Sequence, residues 1–430
     1  MGGRIRLQLP QEVRRNMQIV KNSTIYLGSS IFNKMIPFLL LPIMTQYLTL
    51  KEYGTLSIYL ILITLYSAFI GMGLHTNISK NFFKISKAEL SLYIGNMLII
   101  LTITFCIYLL ISYFISLKYD TLFSIPTNWI LVIPFISLMV MVNEMNTTIL
   151  RNEQRAYMFG IFEISNTLIK MGMTILFLLI FSYGWYSQII GTIIGATVFF
   201  IIGVIYMYQR NYILLIPNRE KIKSILKISL PLIPHVLASV IIAVSDRLFI
   251  EKMVSIEEVG IYSVGYMFGM IVMLFSDAFV KAWSPWFYKN LVSPTPNKKK
   301  RIVKYTYIYI IGIFTLSLFI SMVGIWVLPY FVDEKFYRAT EYILWVSLGY
   351  AMFGVYQIFF PYLVHINKTS FLAISSTLAA IINLVLNYFL IDLYGAIGAV
   401  YATFIAFLVS ATLVFLYQKR NYSMPWSLKV

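Results

Sequence analysis

Long apolar runs, each interrupted by a short polar segment, recur roughly twelve times along the chain and leave little sequence for anything else. To within a few residues they cover 23–46, 53–74, 90–115, 127–150, 157–182 and 186–208 in the first half. In the second half they cover 224–250, 258–281, 304–330, 341–363, 368–390 and 394–417. A bilayer core needs about 20 apolar residues per crossing helix, so each run is long enough to span. The apolar positions are continuous rather than alternating, which favours helices over the strands of a membrane barrel. The expected fold is therefore an all-α polytopic membrane protein with about 12 transmembrane helices.

The pattern also repeats within the chain. "LTLKEYGTLSIYL" from Leu48 matches "VSIEEVGIYSVGY" from Val254 at a constant offset, pairing Glu52 with Glu258, Gly54 with Gly260 and Ser57 with Ser263. Each copy joins the first and second spans of its half. A second echo sets "YGWYSQIIGTIIG" from Tyr183 against "YGAIGAVYATFIA" from Tyr394, between the fifth and sixth spans of each half. Six spans separate the copies, and an even number preserves orientation. The spacing predicts two parallel, pseudo-symmetric six-helix lobes, an N-lobe over 1–215 and a C-lobe over 216–430. Such an arrangement is that of a transporter, with the substrate path expected between the halves.

Charge orients the chain and narrows its partners. The net charge is +17. With the N-terminus placed inside, the inner segments and helix ends hold 26 of the 34 Lys and Arg, against 5 outside. This asymmetry is the positive-inside pattern, so the basic residues report orientation rather than nucleic-acid binding, and both termini are expected in the cytoplasm. The most basic inner loop carries Lys298, Lys299, Lys300 and Arg301, a topology signal beside anionic lipid or a surface for an acidic partner or lipid headgroup. The single cysteine, Cys106, cannot form an intramolecular disulfide.

Charges inside the spans are costly, about 2.5–3.5 kcal/mol each at the bilayer centre on insertion scales, so each needs a partner or a wet cavity. Asp277 reads as an i,i+4 partner of Lys281, and Glu144 as reaching the interface near Arg151. Lys34 sits near mid-span beside Asn33, between prolines Pro37 and Pro42 that favour a bend, and is expected to face a cavity or an anion. Glu163, Asn166 and Lys170 fall on one helical face as a polar stripe. Asp246 and Arg247 are adjacent and diverge by about 100° on a helix, so they are expected to engage different neighbours. His235, next to Pro234, is a hydrogen-bonding residue or a proton relay. No phosphate-binding loop, zinc motif or nucleophile elbow is present, and three histidines suggest no metal cluster. No enzyme activity, cofactor or resident metal is expected.

"SLPLIPHVLASVIIAVSDRLFI", "VGIYSVGY" and "PIMTQYLTLKEYGTLSIY" together resemble the polysaccharide exporters of the multidrug/oligosaccharidyl-lipid/polysaccharide (MOP) superfamily. The likeness is to Wzx-type flippases of undecaprenyl-pyrophosphate-linked O-antigen or capsule repeat units. It implies a MATE-like, two-lobed, alternating-access protein of the bacterial inner membrane that moves lipid-linked oligosaccharide to the outer leaflet for surface polysaccharide such as lipopolysaccharide. By the resemblance, Lys34, Arg247, Lys170 and Asn33 are expected to line the cavity and meet the anionic headgroup. Asp246, Glu163 and His235 are then expected to couple transport to a proton or sodium counter-ion. Further partners would be membrane lipids and polymerase or assembly proteins. The alternatives are a multidrug exporter of the same superfamily, disfavoured by buried cations, and an integral membrane polysaccharide polymerase, disfavoured by short, net acidic outer loops.

Overall fold

A computed structural model of the chain describes residues 11–230, 233–292, 294–366 and 368–427. In the first half it contains α1 (Gln11–Tyr47), α2 (Leu50–Gly71), α3 (Leu74–Asn81), α4 (Lys87–Lys118), α5 (Thr127–Ile130), α6 (Ile133–Asn152), α7 (Ala156–Leu179) and α8 (Tyr186–Gln209). The second half holds α9 (Arg219–Ser229), α10 (Ile233–Met253), α11 (Ile256–Gly269), α12 (Ile271–Val292), α13 (Pro296–Phe331), α14 (Thr340–His365), α15 (Thr369–Tyr394) and α16 (Ile397–Asn421). The strands β1 (Thr121–Leu122) and β2 (Ile125–Pro126) pair as a small antiparallel hairpin. Phe123 and Ser124 both take positive φ there, the geometry of a tight two-residue turn.

Among the described residues, ten helical segments are long and apolar enough to cross a membrane, with α5–α6 and α11–α12 each forming one crossing. The other two predicted spans fall on α1 and α10, where the side chains of several residues lie outside the described ones; Met35–Tyr47 of α1 is a shorter apolar stretch among those that are described. The chain is an all-α, multi-pass membrane protein whose helices fall where the apolar runs place them.

The helices form two compact units. One comprises the chain up to Leu40, Ile70–Ile111 and Leu131–Leu230; the other comprises Leu41–Phe69, Ser112–Ile130 and the chain after Leu230. In the first unit α7 and α8 pack along each other, and α6 packs against α8. In the second, α14 lies against α11, α12, α13 and α16, while α10 packs on α15.

Both sequence echoes have structural causes. In the first copy Thr49 and Glu52 form a capping box: the Glu52 amide donates to Thr49 Oγ1 at 3.2 Å, and the Thr49 amide donates to Glu52 Oε2 at 2.9 Å. In the second copy Ser255 caps α11 by accepting from the Glu258 amide at 3.1 Å. The Glu258 carboxylate instead accepts from Arg338 at 3.2 Å and from the Tyr342 hydroxyl. The glycines that follow let α2 and α11 cross at backbone contact. A Cβ on Gly54 would collide with the Ile256 carbonyl, and one on Gly260 would lie 2.5 Å from the Leu50 carbonyl. Leu50 and Ile256 are themselves equivalent positions in the sequence repeat, so the contact is reciprocal. In the other echo, Gly184 and Gly395 occupy equivalent turns at φ 56° and 70°, which glycine adopts without strain.

Candidate functional site

The adjacent charges of α10 diverge as helix geometry demands. Asp246 is fully buried. Its Oδ2 accepts from the Tyr262 hydroxyl at 2.6 Å and from Thr403 Oγ1 at 2.9 Å, and its Oδ1 accepts from Asn387 Nδ2 at 2.9 Å. Four helices, α10, α11, α15 and α16, thus converge on one carboxylate. A second ring of polar groups supports them. Ser245 Oγ donates to Asn383 Oδ1 at 2.9 Å, and Asn383 Nδ2 donates to Thr403 Oγ1 at 3.1 Å. Asn387 Oδ1 is buried with no hydrogen-bond partner among the described residues. The cluster is one buried carboxylate met by three donors, two hydroxyls and one amide, which hold it without a cationic partner among these contacts.

Arg247 turns toward α11. Its Nε donates to Ser263 Oγ at 2.9 Å, and the guanidinium lies 4.4 Å from the Tyr266 ring centroid and 5.5 Å from that of Tyr262. Such stacking holds the cation in place while leaving its charge intact. The Tyr266 hydroxyl pairs with that of Tyr350 at 2.6 Å, and both tyrosines line a cavity of about 480 Å³ within the second unit. Phe353, Tyr356, Phe360 and Phe407 supply more aromatic wall, and Gln357, Ser376 and Ser410 supply polar groups. Gln357 is itself oriented: Nε2 donates to Asp277 at 2.8 Å, and Oε1 accepts from Ser276 at 2.7 Å. Asp277, read from the sequence as a partner for Lys281, accepts from Gln357 and so fixes an amide of the cavity wall.

In the first unit, Asn33 of α1 clamps α7. Its Nδ2 donates to Glu163 Oε2 at 2.7 Å, and its Oδ1 accepts from Thr167 at 2.9 Å. Asn166 and Lys170 pack on α8, where a Cβ at Gly195 would collide with Lys170 Cγ and lie 3.2 Å from Asn166 Oδ1. The expected stripe is thus one helical face shared between two neighbours. Glu163 and Lys170 stand two turns apart, about 10 Å along the axis, and form no ion pair among the described residues. Glu144 and Arg151 approach at 4.0 Å, as their spacing suggests. Lys34 lies on α1 and His235 on α10, and their side chains fall outside the described residues.

The structure brings Asp246 together with Tyr262, Asn387 and Thr403, and Arg247 with Tyr266, none of which the sequence singles out. One signal was available. Asn383 and Asn387 are four apart in an otherwise apolar run, so they share a helical face inside the membrane, where amides are as demanding as charges.

The match to known proteins follows the same lines. A family model described as "Polysaccharide biosynthesis protein" matches residues 19–291. A protein of the Lsg locus of Haemophilus influenzae is 23% identical over 379 residues, covering 85% of this chain and 90% of that one. Among solved structures, the lipid II flippase MurJ in an inward closed conformation is similar with a TM-score of 0.70 and 16% identity, covering 93% of this chain and 87% of that one. An inward-facing MATE family transporter of the MOP superfamily is similar at 0.65 and 13% identity, covering 93% and 94%. The chain has the fold of MOP-superfamily transporters, and by its family match it belongs to the polysaccharide biosynthesis protein family.

Proposed function

We propose that the protein is an alternating-access flippase of the bacterial cytoplasmic membrane, with both termini cytoplasmic and residues 1–215 and 216–430 acting as two lobes. Its cargo is an oligosaccharide repeat unit on an undecaprenyl-pyrophosphate carrier, moved to the outer leaflet for surface polysaccharide such as O-antigen or capsule and passed to polymerase or assembly proteins. The observation that carries this reading is Arg247 stacked on Tyr266, whose ring forms part of the wall of an aromatic cavity. Aromatic faces take the apolar faces of sugar rings, and a guanidinium pairs with phosphate oxygens in bidentate fashion. Family membership and the likeness to a flippase of a lipid-linked precursor support the same cargo class. Lys34, Asn33 and Lys170 are proposed as further headgroup contacts.

The Asp246 cluster is proposed as the coupling site. A proton or sodium ion taken up there would break or bridge the contacts that tie α10 to α11, α15 and α16, so occupancy would change how these helices pack. Glu163, held by Asn33, and His235 are the other coupling candidates.

The test is export of surface polysaccharide in cells carrying Arg247→Ala, Arg247→Lys, Tyr350→Ala or Lys34→Ala, with membrane abundance measured in parallel. Arg247→Ala is expected to abolish export at normal abundance, and Arg247→Lys to restore little, because an ammonium neither stacks nor pairs as a planar fork does. Full export by Arg247→Ala would sink the reading. If the same variants instead changed drug susceptibility and left polysaccharide intact, the multidrug-exporter alternative would stand.

A further inference from the structure

Antiparallel α12 and α13 enclose a second space, a groove of about 800 Å³ that is separate from the aromatic cavity. Its walls form an aromatic ladder. Phe279 stacks on Tyr309 at 4.3 Å and on Trp283 at 5.9 Å, Trp283 meets Trp286 at 4.8 Å, and Trp286 meets Tyr305 edge-on at 5.5 Å. Arg301 closes one end, its guanidinium 5.9 Å from the Trp286 ring centroid and 5.5 Å from that of Tyr305. No carboxylate pairs with Arg301 among the described residues. Small residues leave room along it: Ala278 and Ala282 line the groove, and a Cβ added at Gly312 would meet nothing within 4 Å.

Three features point to a ligand. The groove runs from Arg301 to Leu316 on α13 and from Trp286 to Phe275 on α12, about 16–22 Å at 1.5 Å per residue. Half of a 30 Å hydrocarbon core is about 15 Å, so the groove is as deep as one leaflet. By the charge asymmetry of the chain, the Arg301 end lies at the inner surface, where anionic lipid collects. Finally, the Arg301 guanidinium is set among two aromatic faces and a tyrosine hydroxyl with no carboxylate beside it among the described residues, so its charge is left to meet an anion at that end.

We infer that the α12–α13 groove binds an anionic phospholipid of the inner leaflet, with its phosphate at Arg301 and one acyl chain along the aromatic ladder. The occupant is a phospholipid and not the polyprenyl tail of the cargo, because a groove one leaflet deep matches an acyl chain and leaves most of a much longer prenyl chain outside. The inference depends on the orientation of the chain and not on the proposed cargo. A protein that transported something else would bind the same lipid.

The test uses the whole protein in phosphatidylcholine vesicles doped with phosphatidylglycerol or phosphatidylcholine brominated on the acyl chain, which quenches nearby tryptophan. The signal from Trp283 and Trp286 is the difference between the wild type and the Trp283→Phe/Trp286→Phe variant. Brominated phosphatidylglycerol is expected to quench this signal at a several-fold lower mole fraction than brominated phosphatidylcholine. Arg301→Gln is expected to remove the preference, and Gly312→Phe, which fills the groove, to reduce quenching by both lipids. A Lys298→Gln/Lys300→Gln variant, which lowers surface charge but keeps Arg301, is expected to retain the preference. Equal quenching by the two lipids in the wild type, or an unchanged preference in Arg301→Gln protein of normal size-exclusion profile, overturns the proposal. Relief of quenching by equimolar undecaprenyl phosphate but not by unbrominated phosphatidylglycerol also overturns it, assigning the groove to the prenyl chain.

Discussion

Asp246 shows how a residue that is costly to bury can be fully satisfied by its neighbours. Three donors meet its two oxygens, so an asparagine there gives up the charge that strengthens all three bonds. Asp246→Asn is therefore expected to lower both export and thermal stability, and adding Asn387→Asp to restore part of both by reversing the donor and acceptor. Equal loss in the single and double variants would show that the charge must sit on α10. Thr403→Val, which deletes one donor, is expected to cost about 0.6 kcal/mol and no more than about 1.7, the average and the largest values measured for side-chain hydrogen bonds between membrane helices. His75, on the short α3, offers a pH-dependent signal. Burial pushes its imidazole below the ordinary value of 6.5, opposed by Glu144 and reinforced by Arg151. Below about pH 6.5 the unfolded state binds a proton that the folded state resists, so stability falls as pH drops from 6.5 toward the lowered value. His75→Gln is expected to flatten that slope in thermal unfolding followed between pH 7.5 and pH 5.

The helix crossings depend on glycine at the scale of elements. Where α2 meets α11, a side chain on Gly54 or Gly260 would press on the partner's backbone carbonyl, which cannot move aside as a flexible side chain can. Gly54→Leu and Gly260→Leu are each expected to cost about 1–3 kcal/mol through overpacking. Because the contact is reciprocal, the two substitutions are expected to be non-additive. Additive losses in denaturation midpoint would show that the crossing is not a shared contact. Gly195 on α8 does the same for Lys170, and Gly195→Leu is expected to displace Lys170 and impair export more than it lowers abundance. The echoed sequence "TLKEYG" and "SIEEVG" thus reads as physics: a capping residue, an acidic residue at the third helical position, then a glycine for the crossing.

The whole molecule combines a carboxylate cluster, a stacked cation and an aromatic cavity within one compact unit, so cargo and coupling ion are proposed to act on the same helices. Transport of a lipid-linked oligosaccharide in proteoliposomes is expected to stop when both proton and sodium gradients are collapsed, and Asp246→Ala protein is expected to transport no faster with a gradient than without one. Transport that ignores both gradients in the wild type would remove the coupling role. Any downhill flipping left in Asp246→Ala protein would show that Arg247 and the cavity still accept cargo.

The helical class, the apolar runs, the charge asymmetry and the repeat were legible in the sequence, because each is a property of a segment compared with water, lipid or another segment. A run of apolar residues must leave water wherever its neighbours lie, and a capping box closes within four residues. The divergence of Asp246 and Arg247 was legible for the same reason, since helix geometry alone separates them. Their partners were not. Asp246 meets groups 16, 141 and 157 residues away, and which tyrosine, amide or hydroxyl reaches it depends on how four helices rotate about their axes. Apolar spans read alike from every side, so periodicity sets no rotation. Packing decides it, with glycines choosing which faces approach and buried polar groups choosing which faces must meet.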